Sequence, residues 1–360
     1  MADRYIDQLD ARNMDKVQAF LEDMPDYVHH YIAEKYAYHT KPSTLAAYLN
    51  DLAVFFAYFS KHLQKAPVDI TVADLAAIKR REHVDFISWV RMTGGKNKKD
   101  MDQAVRRYQT SVSVLYDYLI QSGDYEGIDA NIPKSIPRPK IARNETIDTF
   151  TDSDVDLIRA SVEHHEGLSK KQSDYYAQHY QRDNMTITLL LTTGMRVSEI
   201  VGINLGDFRK DFKELLITRK ERTQQVIFLS DEAAEAVREY IEGERAELLK
   251  LAAQIARPML QDCKDPLILT VRKGYAGRIS VRSVERLAKA HASLTDSWKK
   301  SPHSYRRTYG SYIYHTTGNI GLAAELLGHS DPSVTASAYA SKDIERQKAS
   351  AGLVKFKNRK

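Results

Sequence analysis

The chain reads as a mainly α protein with a small β-sheet, built as an N-terminal helical bundle followed by a second, mixed domain. Three observations predict this. The 360 residues exceed the roughly 150 typical of one domain, so two cores are expected. Apolar residues recur at helical spacing through the first third. A proline-rich basic stretch then interrupts the pattern, and short β-rich runs occur only after it. The expected boundaries are 1–130 for the bundle, 131–150 for the linker and 151–360 for the second domain.

In STLAAYLNDLAVFFAYFSKHL, Ser43 stands after Pro42 as an N-cap, and Leu45, Tyr48, Leu49, Leu52, Phe55, Phe56 and Phe59 follow at three-and-four spacing. This predicts an amphipathic helix with an aromatic core face. A second helix runs through DQAVRRYQTSVSVLYDYLIQSG, where Val105, Tyr108, Val112, Leu115, Tyr116 and Leu119 share a face and Gly123 stops it. Two more are expected near 26–38 and 80–92. In NIPKSIPRPKIARNETIDTF, Pro133, Pro137 and Pro139 deny a helix, while Lys134, Arg138, Lys140 and Arg143 supply positive charge. Such a linker is either a solvated hinge or a strap along nucleic acid.

Thr151 and Asp154 have the spacing of a capping box that opens a helix. MTITLLLTTGMRVSEIVGI is apolar enough for a buried helix, broken near Gly194 and resumed through Arg196. ELLIT and QVIFL, joined by RKERTQ, predict a hairpin; apart from LILTV at 267–271, the remainder reads as short helices.

The formal net charge of +5 and a pI near 8.9 favour an anionic partner without naming it. A single cysteine, Cys263, rules out both an intrachain disulfide and a cysteine zinc site. The N-terminal MADRYIDQLDARNMDK mixes charges of both signs and lacks the apolar segment of a signal peptide, and no run approaches the ~20 apolar residues of a membrane span. A cytoplasmic protein is expected.

Five cationic side chains and a tyrosine in the C-terminal half suit one chemistry. Arg196 lies in TTGMRVSEI, Lys220 in LLITRKERTQQVIFL, His303 and Arg306 in SPHSYRRTYGSYIY, and His329 and Tyr339 in LLGHSDPSVTASAYA. A guanidinium fork matches two phosphate oxygens, a histidine titrates near neutrality, and a tyrosine amid cations is an available nucleophile. Glu199, one turn beyond Arg196, would orient it; the same spacing suits an ordinary surface ion pair. Lys220 at a strand tip could protonate a leaving oxygen, although exposed hairpin charges are common and Arg219 and Arg222 are neighbours.

In order and wording these segments resemble the tyrosine recombinase (phage integrase) family, closely over the last half of the chain and more loosely over the first third. The resemblance implies an N-terminal core-binding, SAM-like helical bundle and a catalytic domain. It makes Arg196 and Arg306 the phosphate-binding arginines, Lys220 the general acid, His303 and His329 the pocket histidines and Tyr339 the nucleophile. Two positions depart from the usual pattern: Arg219 and Glu221 flank Lys220 where a glycine commonly adjoins it, and Arg307 stands where histidine is common. The implied reaction forms a 3' phosphotyrosine and a free 5' hydroxyl with no cofactor and no metal. The implied partners are a double-stranded DNA site, three further copies in a homotetramer, and a septal DNA translocase. MPDYVHHYIAEKYAYHTKPSTLAAYLNDLAVFFAYF looks like the Xer recombinases that resolve chromosome dimers, most like the single-protein kind of streptococci and lactococci, and no extra arm-binding module is evident. A mobile-element integrase, a non-cleaving DNA-binding protein of the same fold and a monomeric type IB topoisomerase are the rivals.

Overall fold

The structure, a computed structural model, describes residues 5–93, 98–140, 149–165, 167–219, 222–254, 265–272, 275–295 and 301–328. The chain divides into two compact units, Met1–Arg143 and Asn144–Lys360.

The first unit is helical: α1 (Tyr5–Leu21), α2 (Asp26–Ala37), α3 (Pro42–Leu63), α4 (Val72–Ala77), α5 (Arg80–Thr93), α6 (Lys98–Gln121) and α7 (Ile132–Ser135). Helix α3 buries Leu45, Leu49, Leu52, Phe55, Phe56 and Phe59, the face its spacing predicts. It starts two residues early, with Lys41 rather than Ser43 at the N-cap. Proline has no N–H to leave unsatisfied in a first turn, so Pro42 opens the helix. The Phe55 ring meets Phe59 at 4.8 Å and Phe86 edge-on at 5.4 Å, and His83 stacks on it at 6.0 Å. Burial pushes the His83 imidazole down to a pKa of about 4, so it sits in this apolar core as the neutral ring. The Tyr116 hydroxyl donates to the Leu75 carbonyl at 3.0 Å, which leaves its oxygen to accept from His83 Nε2 at 3.3 Å. Across α3 and α6, buried Asp51 accepts from Arg107 Nε at 2.8 Å and from Ser111 at 2.9 Å, compensating its desolvation.

The linker departs from expectation. Residues 132–135 are a helical turn, α7, not extended chain. Asn131 caps it by accepting from the Lys134 N–H at 2.9 Å, and Pro133 lies in the first turn, where its missing N–H costs nothing. Lys134 Nζ pairs with Asp117 at 3.1 Å, so its charge is already engaged within the bundle. Arg138 and Lys140 are exposed, and Arg143 lies outside the described residues.

The second unit contains α8 (Asp152–His164), α9 (Lys170–Ala177), α10 (Tyr180–Thr193), α11 (Val197–Gly202), β1 (Phe208–Arg209), β2 (Glu214–Thr218), β3 (Gln224–Phe228), α12 (Asp231–Glu242), α13 (Glu244–Gln254), β4 (Leu269–Arg272), β5 (Tyr275–Arg278), α14 (Val281–Ala292), α15 (Pro302–Thr317) and α16 (Ile320–Leu327). The Thr151 capping box forms: the hydroxyl accepts from the Asp154 N–H, and the Asp154 carboxylate accepts from the Thr151 N–H at 2.9 Å. Buried nearly all round, α10 packs against α8, α12 and α15. The expected hairpin is β2–β3, antiparallel with Leu216 opposite Val226, and β1 adds a third strand on the other edge of β2. A second hairpin, β4–β5, stands where only the first strand was expected.

Candidate active site

Helix α10 ends at Gly194, whose φ of +60° is left-handed. A Cβ there would lie 2.5 Å from the Tyr309 ring, so both the backbone and the close packing demand glycine. Two residues on, Arg196 is the N-cap of α11. Its backbone N–H donates to Glu199 Oε2 at 2.8 Å and its Nη1 to Oε1 at 2.8 Å. One carboxylate therefore fixes both the main chain and the guanidinium of Arg196. Glu199 is buried, with a side chain 4% exposed, whereas that of Arg196 is 31% exposed. That asymmetry is not a solvated ion pair. It is a buried acid holding a cation whose fork reaches solvent.

Arg306 comes from α15, which has Pro302 in its first turn. It is 2% exposed and donates from Nη1 to the Gly194 carbonyl at 2.7 Å and from Nη2 to the Leu327 carbonyl. The α10–α11 turn and the end of α16 thus meet on one guanidinium. His303, three residues earlier, is exposed where Arg306 is buried.

Helix α16 ends at Gly328, φ +63°, and its last carbonyls are capped by side chains from elsewhere. The Glu325 carbonyl accepts from Gln225 Nε2 at 3.1 Å, Leu326 from Arg219 Nη2 at 2.9 Å, and Leu327 from Arg306. Two cations at a helix C-terminus complement its negative end. Arg219 also donates from Nη1 to Glu199 Oε2 at 2.9 Å and from Nε to Gln225 Oε1 at 2.8 Å. Burial and the like charge of Arg196 press its pKa down, and Glu199 opposes them. Sequence reasoning passed over Arg219 as a neighbour of Lys220. Strand parity carried the missing signal, since Leu215, Ile217 and Arg219 alternate into the interior.

Among the described residues, then, three guanidiniums converge around Glu199 and the Gly194 turn, an excess of positive charge in a largely dry setting that suits a phosphate. Lys220, His329 and Tyr339 lie outside the described residues; Arg219 and Gly328 are the described neighbours of Lys220 and His329. No group of three or more His, Cys, Asp or Glu placed to hold a metal occurs among the described residues.

The chain is 28% identical over 306 residues to the tyrosine recombinase XerC of Caldanaerobacter subterraneus subsp. tengcongensis, covering 82% of this chain and 76% of that protein. It is 25% identical over 347 residues to the tyrosine recombinase XerS of Streptococcus equi subsp. zooepidemicus, covering 89% and 93%. The fold is similar to that of the XerH site-specific recombinase bound to palindromic difH substrate, with a TM-score of 0.61, 19% identity and coverage of 88% and 82%. It is also similar to the Tn1549 transposon integrase bound to circular intermediate DNA, with a TM-score of 0.59, 17% identity and coverage of 91% and 99%. The model of the phage integrase family matches residues 166–346, just over half the chain and the stretch holding every arginine of the pocket. With that match, this chain belongs to the phage integrase family, the tyrosine recombinases that cut and rejoin DNA.

Proposed function

We propose that the chain is an Xer-type recombinase that resolves chromosome dimers, acting as a homotetramer on a specific DNA site in the cytoplasm. One observation carries the catalytic reading: Arg306 donates to the Gly194 carbonyl, two residues from Arg196, and to the Leu327 carbonyl, two residues before His329. Packing thus gathers at one turn three sequence segments, the first of them more than a hundred residues from the other two. In this reading Arg196 and Arg306 bind the scissile phosphate and Tyr339 attacks the phosphorus. The 5' oxygen leaves with a proton from Lys220, and His303 and His329 relay protons. Charge grows on the non-bridging oxygens in the pentavalent state, and fixed guanidiniums stabilise it without reorganising. Exposed Arg138 and Lys140, with Arg143, would add phosphate contacts that release counterions. Likeness to curated Xer recombinases along nearly the whole chain supports this role over a mobile-element one.

The role is tested on a plasmid carrying two direct repeats of the partly palindromic site from the replication terminus of the source chromosome. Resolution into two circles is expected, with no relaxation of a plasmid lacking the site. Action only on sites flanking the coding region identifies a mobile-element integrase, and site-independent relaxation a topoisomerase.

The lysine has its own test. Replacing the bridging 5' oxygen by sulphur makes a leaving group that needs no proton. Lys220→Ala should cleave the ordinary substrate poorly and the sulphur substrate close to wild-type rate. Rescue of Arg222→Ala instead moves the acid along the hairpin.

A further inference from the structure

We propose that Arg219 is a positioning residue for Arg196, acting through the carboxylate of Glu199 that the two share. The inference rests on Arg196 being a phosphate ligand, and adds how that ligand is held. Glu199 Oε2 accepts from both the Arg196 backbone and Arg219 Nη1, while Oε1 holds the Arg196 fork. A carboxylate held by Arg196 alone could turn about its own side-chain bonds and carry the guanidinium with it. Arg219 removes that freedom. Its three nitrogens donate to three separate elements: Glu199 on α11, Gln225 on β3 and the Leu326 carbonyl at the end of α16.

The packing leaves Arg219 no second arrangement. It is 4% exposed, and a Cβ on Gly328 would lie 2.7 Å from its Nε, so the end of α16 lies hard against it. Glutamine at 219 has one amide in place of the fork and cannot reach three acceptors in different directions. Lysine keeps the charge beside Glu199 and loses the geometry. Arg219 is also one of the two residues, with Glu221, that flank Lys220 where a glycine commonly adjoins it. In this chain the end of β2 therefore carries a strut that ties the phosphate-binding turn to the helix leading into His329.

The test separates positioning from general loss of structure by changing the charge of the substrate. Cleavage by wild type, Arg219→Gln, Arg219→Lys and Arg196→Ala is measured on a phosphate site and on the same site with a neutral methylphosphonate at the scissile position. That group lacks the negative oxygen a guanidinium neutralises. Displacing a catalytic group by an ångström costs up to about a hundredfold, so Arg219→Gln is expected to slow phosphate cleavage roughly 10- to 100-fold, and Arg219→Lys less. On methylphosphonate the penalties of Arg219→Gln and Arg196→Ala should both shrink toward none. A merely structural residue would cost the same on both substrates, and that result overturns the proposal. So does normal phosphate cleavage by Arg219→Gln while Arg196→Ala is slow and relieved on methylphosphonate, which leaves Arg196 a phosphate ligand. Normal phosphate cleavage by Arg196→Ala instead removes the underlying reading and the proposal with it. Melting curves accompany each variant, and if Arg219→Gln does not fold, Arg219→Lys carries the same comparison.

Discussion

Tyr339→Phe, mixed with a nicked suicide substrate, is expected to yield no covalent protein–DNA adduct, whereas the wild-type chain accumulates one. The substitution removes a single oxygen, so DNA binding should persist while the bond to phosphorus cannot form. Loss of the adduct is therefore total rather than graded. The chain has 21 tyrosines, and one of the described ones, Tyr309, lies with its ring against Gly194. Burial raises the Tyr309 pKa, with Arg219 only partly opposing it. A half-buried phenol held protonated while it fills the space over a glycine is packing, not a nucleophile. Tyr309→Phe should accordingly keep the adduct. An adduct lost in Tyr309→Phe and kept in Tyr339→Phe would reassign the nucleophile to α15.

The elements legible in the sequence were those where one local rule dominates. Helix α3 announces itself because six of its apolar side chains fall on one buried face. The Thr151 box and the β2–β3 hairpin follow from short-range hydrogen bonding and alternation. Helix α1 escaped notice because only Val17 and Leu21 of its seventeen residues are buried, which leaves a faint periodicity. The turn of α7 was masked by reading proline as a helix breaker without regard to position, and β5 by its length of four residues with an internal glycine. In the site, Arg196, Glu199 and Arg306 could be named from spacing and resemblance. That Arg306 is wedged between two backbone carbonyls could not, because Gly194 and Leu327 come near it only through tertiary packing. Arg219 was hidden by a sound habit, the assignment of charges at a strand end to solvent. Burial of a guanidinium is rare enough that only its three partners explain it.

Arg196→Ala and Arg306→Ala are each expected to lower the rate of adduct formation by about two to three orders of magnitude, the usual cost of removing one donor to a developing oxyanion. The structure predicts that the two differ in stability. Arg196 has a partly exposed side chain, and its loss leaves Glu199 still paired with Arg219, so the melting temperature should barely move. Arg306 is buried, and its loss strands the Gly194 and Leu327 carbonyls. Each orphaned buried acceptor costs about 1–3 kcal/mol, and 1 kcal/mol lowers the melting temperature of a domain this size by roughly 2–4 °C. Arg306→Ala should therefore melt at least several degrees lower, and its rate must be compared at a temperature where it is folded. Arg306→Lys restores charge without the fork and should recover little of the rate, since one ammonium cannot span both carbonyls and also meet a phosphate. Cleavage within about twofold of wild type by either folded alanine variant, where a lost donor costs at least a hundredfold, would place that arginine outside the reacting centre and leave it a scaffold of the Gly194 turn.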